Sequence, residues 1–550
     1  FNNATSLTCA FDLTGLSTGS WNIEVTNPTG DTATGTNLLS VFSPVVPSIT
    51  AITPAIGPNN RVLSNVQITG TGYASGTVPR LTRAGQTAIT GSSVVAGSVT
   101  GLTCSFDLTN CAPGLWNVEV ANPDGQTATG ANLFTVLRVW RKSFGGSGSE
   151  SDLFSVNAVD GGLLVAGTTS SSDGIFSQYK GGDSDIWIAK LDDSGTILWS
   201  RCIGGSGTDR CSGLIAVSGG YVLCGDTTSP DGDLAGINIQ PVGQRALVMK
   251  INSDGSVANG KAFGPDFTGA TADTRGGIRT TADGGYVFAG STFDGSYIYG
   301  WAVKLDSGFT KQWERRLAAN SGMAYAEDVV QKADGKYLLC GYTEFGAGDF
   351  AGMGYVGGKD GFVFELDQAG AVVRGKCVGG SGNDKCSSLI PLSNGDFYLV
   401  GTTGSSDGTC PATRGSTDVM LLNMKADFSA VNWSKNLGGA GADEGVRGVL
   451  ATDGSLLFTG RTPSTDGDVT GNRGATDFWF GKCSSAGSLL WQKCFGGTAD
   501  EYVTGFLTTS DGGYLLNGYG RSTDGDLTGT GHQTGNDDFI LIREGALPTP

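Results

Sequence analysis

The sequence predicts an all-β chain in which two-sheet sandwiches precede a seven-bladed ring of four-stranded sheets. Three observations predict it: a composition made for short strands and tight turns, an N-terminal repeat with an offset of 95 residues, and a second repeat of about 58 residues in the remainder. Of the 550 residues, 91 are glycine and only 16% are charged, so turns are plentiful and helix formers scarce. Thr, Ser, Asp and Asn crowd between short apolar runs, as strands joined by turns require. The length allows several domains, each with its own core. No run of about 18 apolar residues is present to form a membrane-spanning helix. Phe1 is preceded by no initiator Met or signal peptide, and a mature or trimmed chain is expected.

The formal charge of −17, with no basic stripe to offset it, opposes nucleic acid and anionic lipid as partners. No nucleic-acid binding and no membrane insertion are expected.

The first repeat pairs Cys9 with Cys104, Phe11 with Phe106, Trp21 with Trp116, Asn27 with Asn122 and Pro28 with Pro123. Alternating strands such as Trp116-Asn117-Val118-Glu119-Val120 at this spacing fit a sandwich of about 100 residues. Ile52-Thr53-Pro54, Ile68-Thr69-Gly70-Thr71-Gly72-Tyr73 and Asn122-Pro123-Asp124-Gly125 resemble the IPT/TIG family of immunoglobulin-like domains. Residues 45–136 are read as one complete domain of that kind, and 1–44 as the C-terminal half of another.

From Trp140 a different unit recurs: Trp-x-Lys/Arg with Gly-Gly, then Asp-Gly-Gly-Tyr, then Asp-Gly-Asp, then Asp-x-Trp-x-x-Lys. Its Gly-Gly-Tyr-type strand appears seven times, at 162–167, 220–225, 285–290, 336–341, 396–401, 455–460 and 513–518. Each unit reads as four strands, a to d. In the first they are expected near 153–159, 163–169, 185–191 and 196–203. The seventh unit ends at strand c (539–543), whereas residues 136–144 have the pattern of a strand d with no unit before them. Pairing the two closes the ring and removes two sheet edges. The β-propeller is therefore assigned to 137–545, with 546–550 as a tail. The stretches 460–482 and 517–543 resemble the glycine-rich propeller repeats of secreted bacterial and archaeal surface proteins, among them those of Bacteroidetes. That resemblance implies an extracellular, cell-surface location and little about activity.

The a–b turns (Asp160-Gly161, Asp283-Gly284, Asp511-Gly512) and the c–d turns are short, and belong to tight-turn chemistry. The opposite face holds the d–a loops (Gly204-Gly205, Gly379-Gly380, Gly496-Gly497) and the long b–c loops, where binding on a rigid scaffold usually lies. The stalk is expected to join on the short-turn side. In the b–c loops Asp231/Asp233, Asp466/Asp468 and Asp524/Asp526 flank a glycine, and Asp477 and Asp538 begin strands c. Two readings stay open: Ca²⁺ ligation by clustered carboxylates, or capping of turns by Asx hydrogen bonds. The recurring Trp187, Trp301 and Trp479 on strands c, with Trp199, Trp313, Trp433 and Trp491 on strands d, are expected to pack between blades.

Cys202/Cys211 and Cys377/Cys386 bracket equivalent loops, which predicts disulfides in an oxidising compartment, with Cys104/Cys111 a further candidate pair. Cys224 and Cys340 read as buried thiols; one His leaves too few ligands for zinc, and a hydrolase triad could be built only around His532, which lies in a Gly/Thr-rich loop and reads as a surface residue. No catalytic residue is assigned. The expected function is structural or adhesive, with surface or filament proteins as partners and self-assembly through the N-terminal half domain. A carbohydrate-binding lectin, Ca²⁺-dependent or not, is the alternative, and a polysaccharide-degrading enzyme with carboxylates converging on the ring axis is the third reading.

Overall fold

The computed structural model describes residues 5–41, 46–237, 243–264, 271–319, 322–509, 511–531 and 535–545. His532, residue 45 at the expected domain boundary and the tail 546–550 lie outside the described residues. The fold is all-β; its helical segments among these residues are short 3-10 turns such as Gly174–Phe176 and Gly232–Leu234. Two compact units divide the chain, Phe1–Arg138 and Val139–Pro550.

In the first unit, Ser48–Thr53, Val62–Thr71, Gly101–Asp107 and Ser92–Ser98 form one sheet. Ile56–Pro58, Thr127–Leu137, Gly114–Ala121, Val78–Thr82 and Ile89–Thr90 form a second. Alternate residues of a strand face one side, so Leu102, Cys104 and Phe106 from one sheet meet Trp116, Val118 and Val120 from the other in a single core. Upstream, Gly19–Thr26 pairs with Thr32–Val41 in a two-stranded hairpin. Its register (Trp21 opposite Leu39, Ile23 opposite Gly35) repeats that of Trp116/Phe134 and Val118/Gly130, with an irregularity at the same place. The two copies differ in burial. Phe106 and Leu108 are fully buried, whereas their counterparts Phe11 and Leu13 are 56% and 40% exposed. Local sequence makes the hairpin; burial requires the facing sheet.

The second unit contains seven four-stranded antiparallel sheets among the described residues. The first comprises Glu150–Asn157, Leu163–Thr169, Asp185–Leu191 and Ile197–Ile203. The next five follow in sequence order, opening at Asp209–Val217, Thr271–Thr280, Ala324–Gln331, Asp384–Pro391 and Glu444–Leu450. The seventh is formed by Glu501–Thr508, Tyr514–Gly520, Asp538–Glu544 and the distant strand Trp140–Phe144. That strand runs antiparallel to the last one, with Trp140 opposite Arg543 and Phe144 opposite Phe539. It is shorter than the expected 136–144. Val136 and Leu137 instead finish Thr127–Leu137, where they pair in parallel with Gly57 and Pro58. The opening strand of each sheet packs on its neighbour's, and Glu150–Asn157 packs against Glu501–Thr508, so the series is cyclic and propeller-like.

Strands b and c are almost wholly buried, as expected of strands covered on both faces. Trp187, Trp301 and Trp479 are fully enclosed, and Trp187 stacks on Phe539 of the seventh sheet at 5.3 Å. Each such side chain removes enough apolar surface to contribute roughly 1.5–3 kcal/mol. The strand-d tryptophans are half-buried and lie over the neighbouring c–d turn: Trp433 Nε1 donates to the Ser485 carbonyl at 2.8 Å. A Cβ on Gly487 would sit 2.8 Å from the Trp433 ring, and Gly487 has φ +80°, so this turn requires glycine twice over.

The expected disulfides are corrected: all twelve cysteines carry free thiols. Cys202 packs in the core shared by the first and seventh sheets, Cys211 in the core between the first and second. Cys377 and Cys386 are likewise assigned to different inter-sheet cores. Equal spacing in sequence therefore placed each pair on strands d and a whose side chains enter separate layers. In the first unit, Cys104 lies in the core while Cys111, at its margin, directs its thiol to the Asp107 carbonyl.

Candidate functional site

The residues singled out in the sequence form the joints between sheets. Gly204, Gly205, Gly379, Gly380, Gly496 and Gly497 are buried, and the protein's own side chains fill their loops. At the joint of the first and second sheets, Gly205 N donates to Asp209 Oδ2 (2.9 Å), Ser206 N to Asp231 Oδ1 (2.7 Å) and Gly207 N to Ser229 Oγ (2.8 Å). Asp466 and Asp524 accept equivalent bonds from Ala440 N (2.7 Å) and Thr498 N (2.8 Å). The second carboxylate of each Asp-Gly-Asp meets a basic side chain from the previous sheet: Asp233 with Lys180, Asp468 with Arg414, Asp526 with Arg473. These aspartates clamp loops through local hydrogen bonds. Among the described residues no group of three or more His, Cys, Asp or Glu is arranged to hold a metal ion.

The strand-c aspartates form a second layer of the joint. Asp185, Asp360, Asp418 and Asp477 are buried, and each accepts a backbone N–H on Oδ2 while its enclosed Oδ1 has no hydrogen-bond partner. Beside each lies the carboxylate that opens the next sheet. A Cβ built on Gly496 would lie 2.4 Å from Asp477 Oδ1 and 2.3 Å from Glu501 Oε2, so only hydrogen fits between the two acids. Burial, then the Glu501 charge, pushes Asp477 up to about 7. Burial with neighbouring Asp209 raises Asp185 to about 6, and burial with Asp384 does the same for Asp360. Asp538 is enclosed at the corresponding place, next to Gly145.

The open site lies elsewhere, where the opening strands converge. A cavity of about 510 Å³ is lined by the first residues of strands a (Asp152, Asp384, Glu444, Tyr502) and the last residues of strands b (Tyr342, Thr402, Arg461, Tyr519). Both sets lie at the end of the sheets that carries the long loops. Its wall draws on one cross-strand register in four sheets. Lys385/Thr402 in the fifth sheet, Glu444/Arg461 in the sixth and Tyr502/Tyr519 in the seventh line it as pairs, and from the fourth sheet Tyr342 lines it while its cross-strand partner Tyr325 stacks behind. On strand b the preceding position is constant (Gly341, Gly401, Gly460 and Gly518), whereas these pairs take three different compositions in the four sheets. The tyrosines pair ring on ring, at 4.8 Å for Tyr325/Tyr342 and 5.3 Å for Tyr502/Tyr519. Arg461 lies 5.3 Å over Tyr502 and pairs with Glu444 at 3.5 Å, while Lys385 pairs with Glu327 at 3.4 Å. Four acids and four bases line the space, so it is charge-balanced within a strongly acidic chain.

The floor is a charged plug. Phe154, Arg447 and Thr504 border both this cavity and a smaller one of about 160 Å³ beneath it. Asp328, fully buried, accepts from Arg279 Nη2 at 3.0 and 3.1 Å and from Leu389 N, and lies 4.0 Å from Arg447. One carboxylate thus binds the third, fourth, fifth and sixth sheets together. Asp152, also at the cavity wall, is raised by burial against the opposing effects of Ser151, Arg210 and Arg461. Sequence reasoning named none of these axial residues. Their signal was variation among copies of the repeat, at positions where the rest of the unit is constant.

No family model matches the chain, and no curated protein matches it. Solved structures with overlapping architecture include Sqt1 of Chaetomium thermophilum (12% identity, TM-score 0.39, 74% of this chain and 98% of that one). Others are the Pan2 WD40 domain of Neurospora crassa (11%, 0.40, 73% and 91%) and the polysaccharide lyase Uly1 (10%, 0.39, 69% and 88%).

Proposed function

We propose that this chain is an extracellular, non-catalytic binding protein of the adhesive kind, a seven-bladed β-propeller head combined with immunoglobulin-like sandwich domains of the IPT/TIG type. The observation that carries the reading is the asymmetric cavity of about 510 Å³ on the axis, walled by residues in which the sheets differ and open on the long-loop side. A repeat that served only as a spacer has no reason to vary at one register and stay constant beside it. The acids of the wall support binding over catalysis, because Glu327 and Glu444 are engaged by Lys385 and Arg461 and are not held free for proton transfer. The exposed apolar side chains Phe11 and Leu13, which precede the N-terminal hairpin, and Trp21 within it are the surface to which we assign assembly with a further protein.

The test is retention of cells or cell-wall polymers on immobilised full-length protein, with wild type compared against Tyr502→Ala. Retention that falls with Tyr502→Ala supports the reading. Retention indifferent to the axial residue, or release of shortened polymer into solution, overturns it, the latter in favour of a polysaccharide-degrading enzyme.

A further inference from the structure

We infer that the axial cavity recognises a neutral saccharide, held between Tyr342 on one side and Tyr502 and Tyr519 on the other, with its hydroxyls on the ion pairs between them. This rests on the binding-head reading and adds the ligand class. Around the wall the order is Tyr342, then Lys385/Thr402, then Glu444/Arg461, then Tyr502/Tyr519. Two aromatic walls thus enclose an arc of side-chain donors and acceptors. A sugar ring offers the complement, with apolar C–H faces for the aromatic surfaces and an edge of hydroxyls that both donate and accept.

Charge selects within that class. An anion placed there meets Glu327, Glu444 and the buried Asp152; a cation meets Lys385, Arg461 and Arg447. Equal numbers of acids and bases leave no net attraction for either, and a neutral polyol needs none. The volume of about 510 Å³ lies within the usual range for small-ligand sites. The plug at Arg447 and Asp328 closes the far end, so the site takes a chain end or a side branch instead of a threaded polymer.

The experiment screens the full chain against neutral and uronate-containing oligosaccharides, then titrates the best neutral binder calorimetrically. Tyr502→Ala and Glu444→Gln are each expected to weaken binding roughly tenfold or more. Asp254→Ala, on a c–d turn at the opposite end of the sheets, is expected to leave it unchanged. Near-ultraviolet circular dichroism confirms that each variant is folded, and Glu444→Gln, being isosteric, stands as the test if Tyr502→Ala is not. Binding confined to uronates, or equal binding by wild type and both axial variants, overturns the inference. If cells are retained on the protein but no saccharide binds, the ligand class is wrong and the binding-head reading stands. If neither is retained, both fall.

Discussion

Replacing Asp477 by Asn tests the buried acid pairs at the joints. In the folded protein Asp477 is raised from 3.8 to about 7, chiefly by burial and then by the Glu501 carboxylate. The native state therefore holds a proton that the unfolded chain gives up, and stability falls as pH rises between these two values. The contribution is fully present below the unfolded value near 4 and lost as pH passes about 7. One unit is worth about 1.4 kcal/mol, so the full shift caps the cost of ionisation at roughly 4 kcal/mol. Arg473 and water at the loop surface offset part of it, and about 1–2 kcal/mol between pH 5 and pH 8 is the expected size. Asn reproduces the protonated acid, accepting from Arg473 N through its oxygen and presenting an N–H to Glu501. The variant should match wild type at about pH 4, gain on it by about that amount between pH 5 and pH 8, and show a flatter pH dependence. Urea denaturation followed by tryptophan fluorescence at four pH values reads this directly. Wild-type stability that rises from pH 5 to 8, together with a loss in the variant that is the same at every pH, would refute a shared proton.

Three further outcomes follow from the packing. Gly487→Ala puts a methyl against Trp433 at positive φ, and should lower stability by about 1–3 kcal/mol in a thermal scan. Asp328→Asn leaves Arg279 and the buried Arg447 without their carboxylate, with an expected cost of about 3–5 kcal/mol; Asp254→Asn, on an exposed turn, should cost less than about 0.5 kcal/mol. Thiol titration under non-reducing conditions should give rapid reaction at exposed Cys9, with all twelve thiols reacting once the chain is unfolded. A shortfall of two thiols per loop would restore the expected disulfides.

Much of the architecture was legible because it is local. The alternation that makes Leu163–Thr169 and Asp185–Leu191 strands, the Asp-Gly turns and the unpaired ends of the repeat are all properties of short segments, and the last of these correctly paired residues near 140 with those near 540. The hydrogen bonds that Asp231, Asp466 and Asp524 accept from Ser206, Ala440 and Thr498 join two different loops at each joint, and a reading of each loop alone did not supply those partners.

What the sequence by itself determined was the unit: four strands, its number of copies, its turns and the tryptophans at its joints. Those follow from side-chain period and turn chemistry, which act over a few residues. Which layer each side chain enters was decided by the tertiary structure, and that is why Cys202 and Cys211 are neighbours in sequence and occupants of different cores. The same applies to the axis. Asp152, Glu327, Glu444 and Tyr502 come from four sheets, and only closure of the series brings them to one cavity. The unpaired ends of the repeat signalled closure, but which side chains the closed series turns toward its axis is set only when the sheets meet.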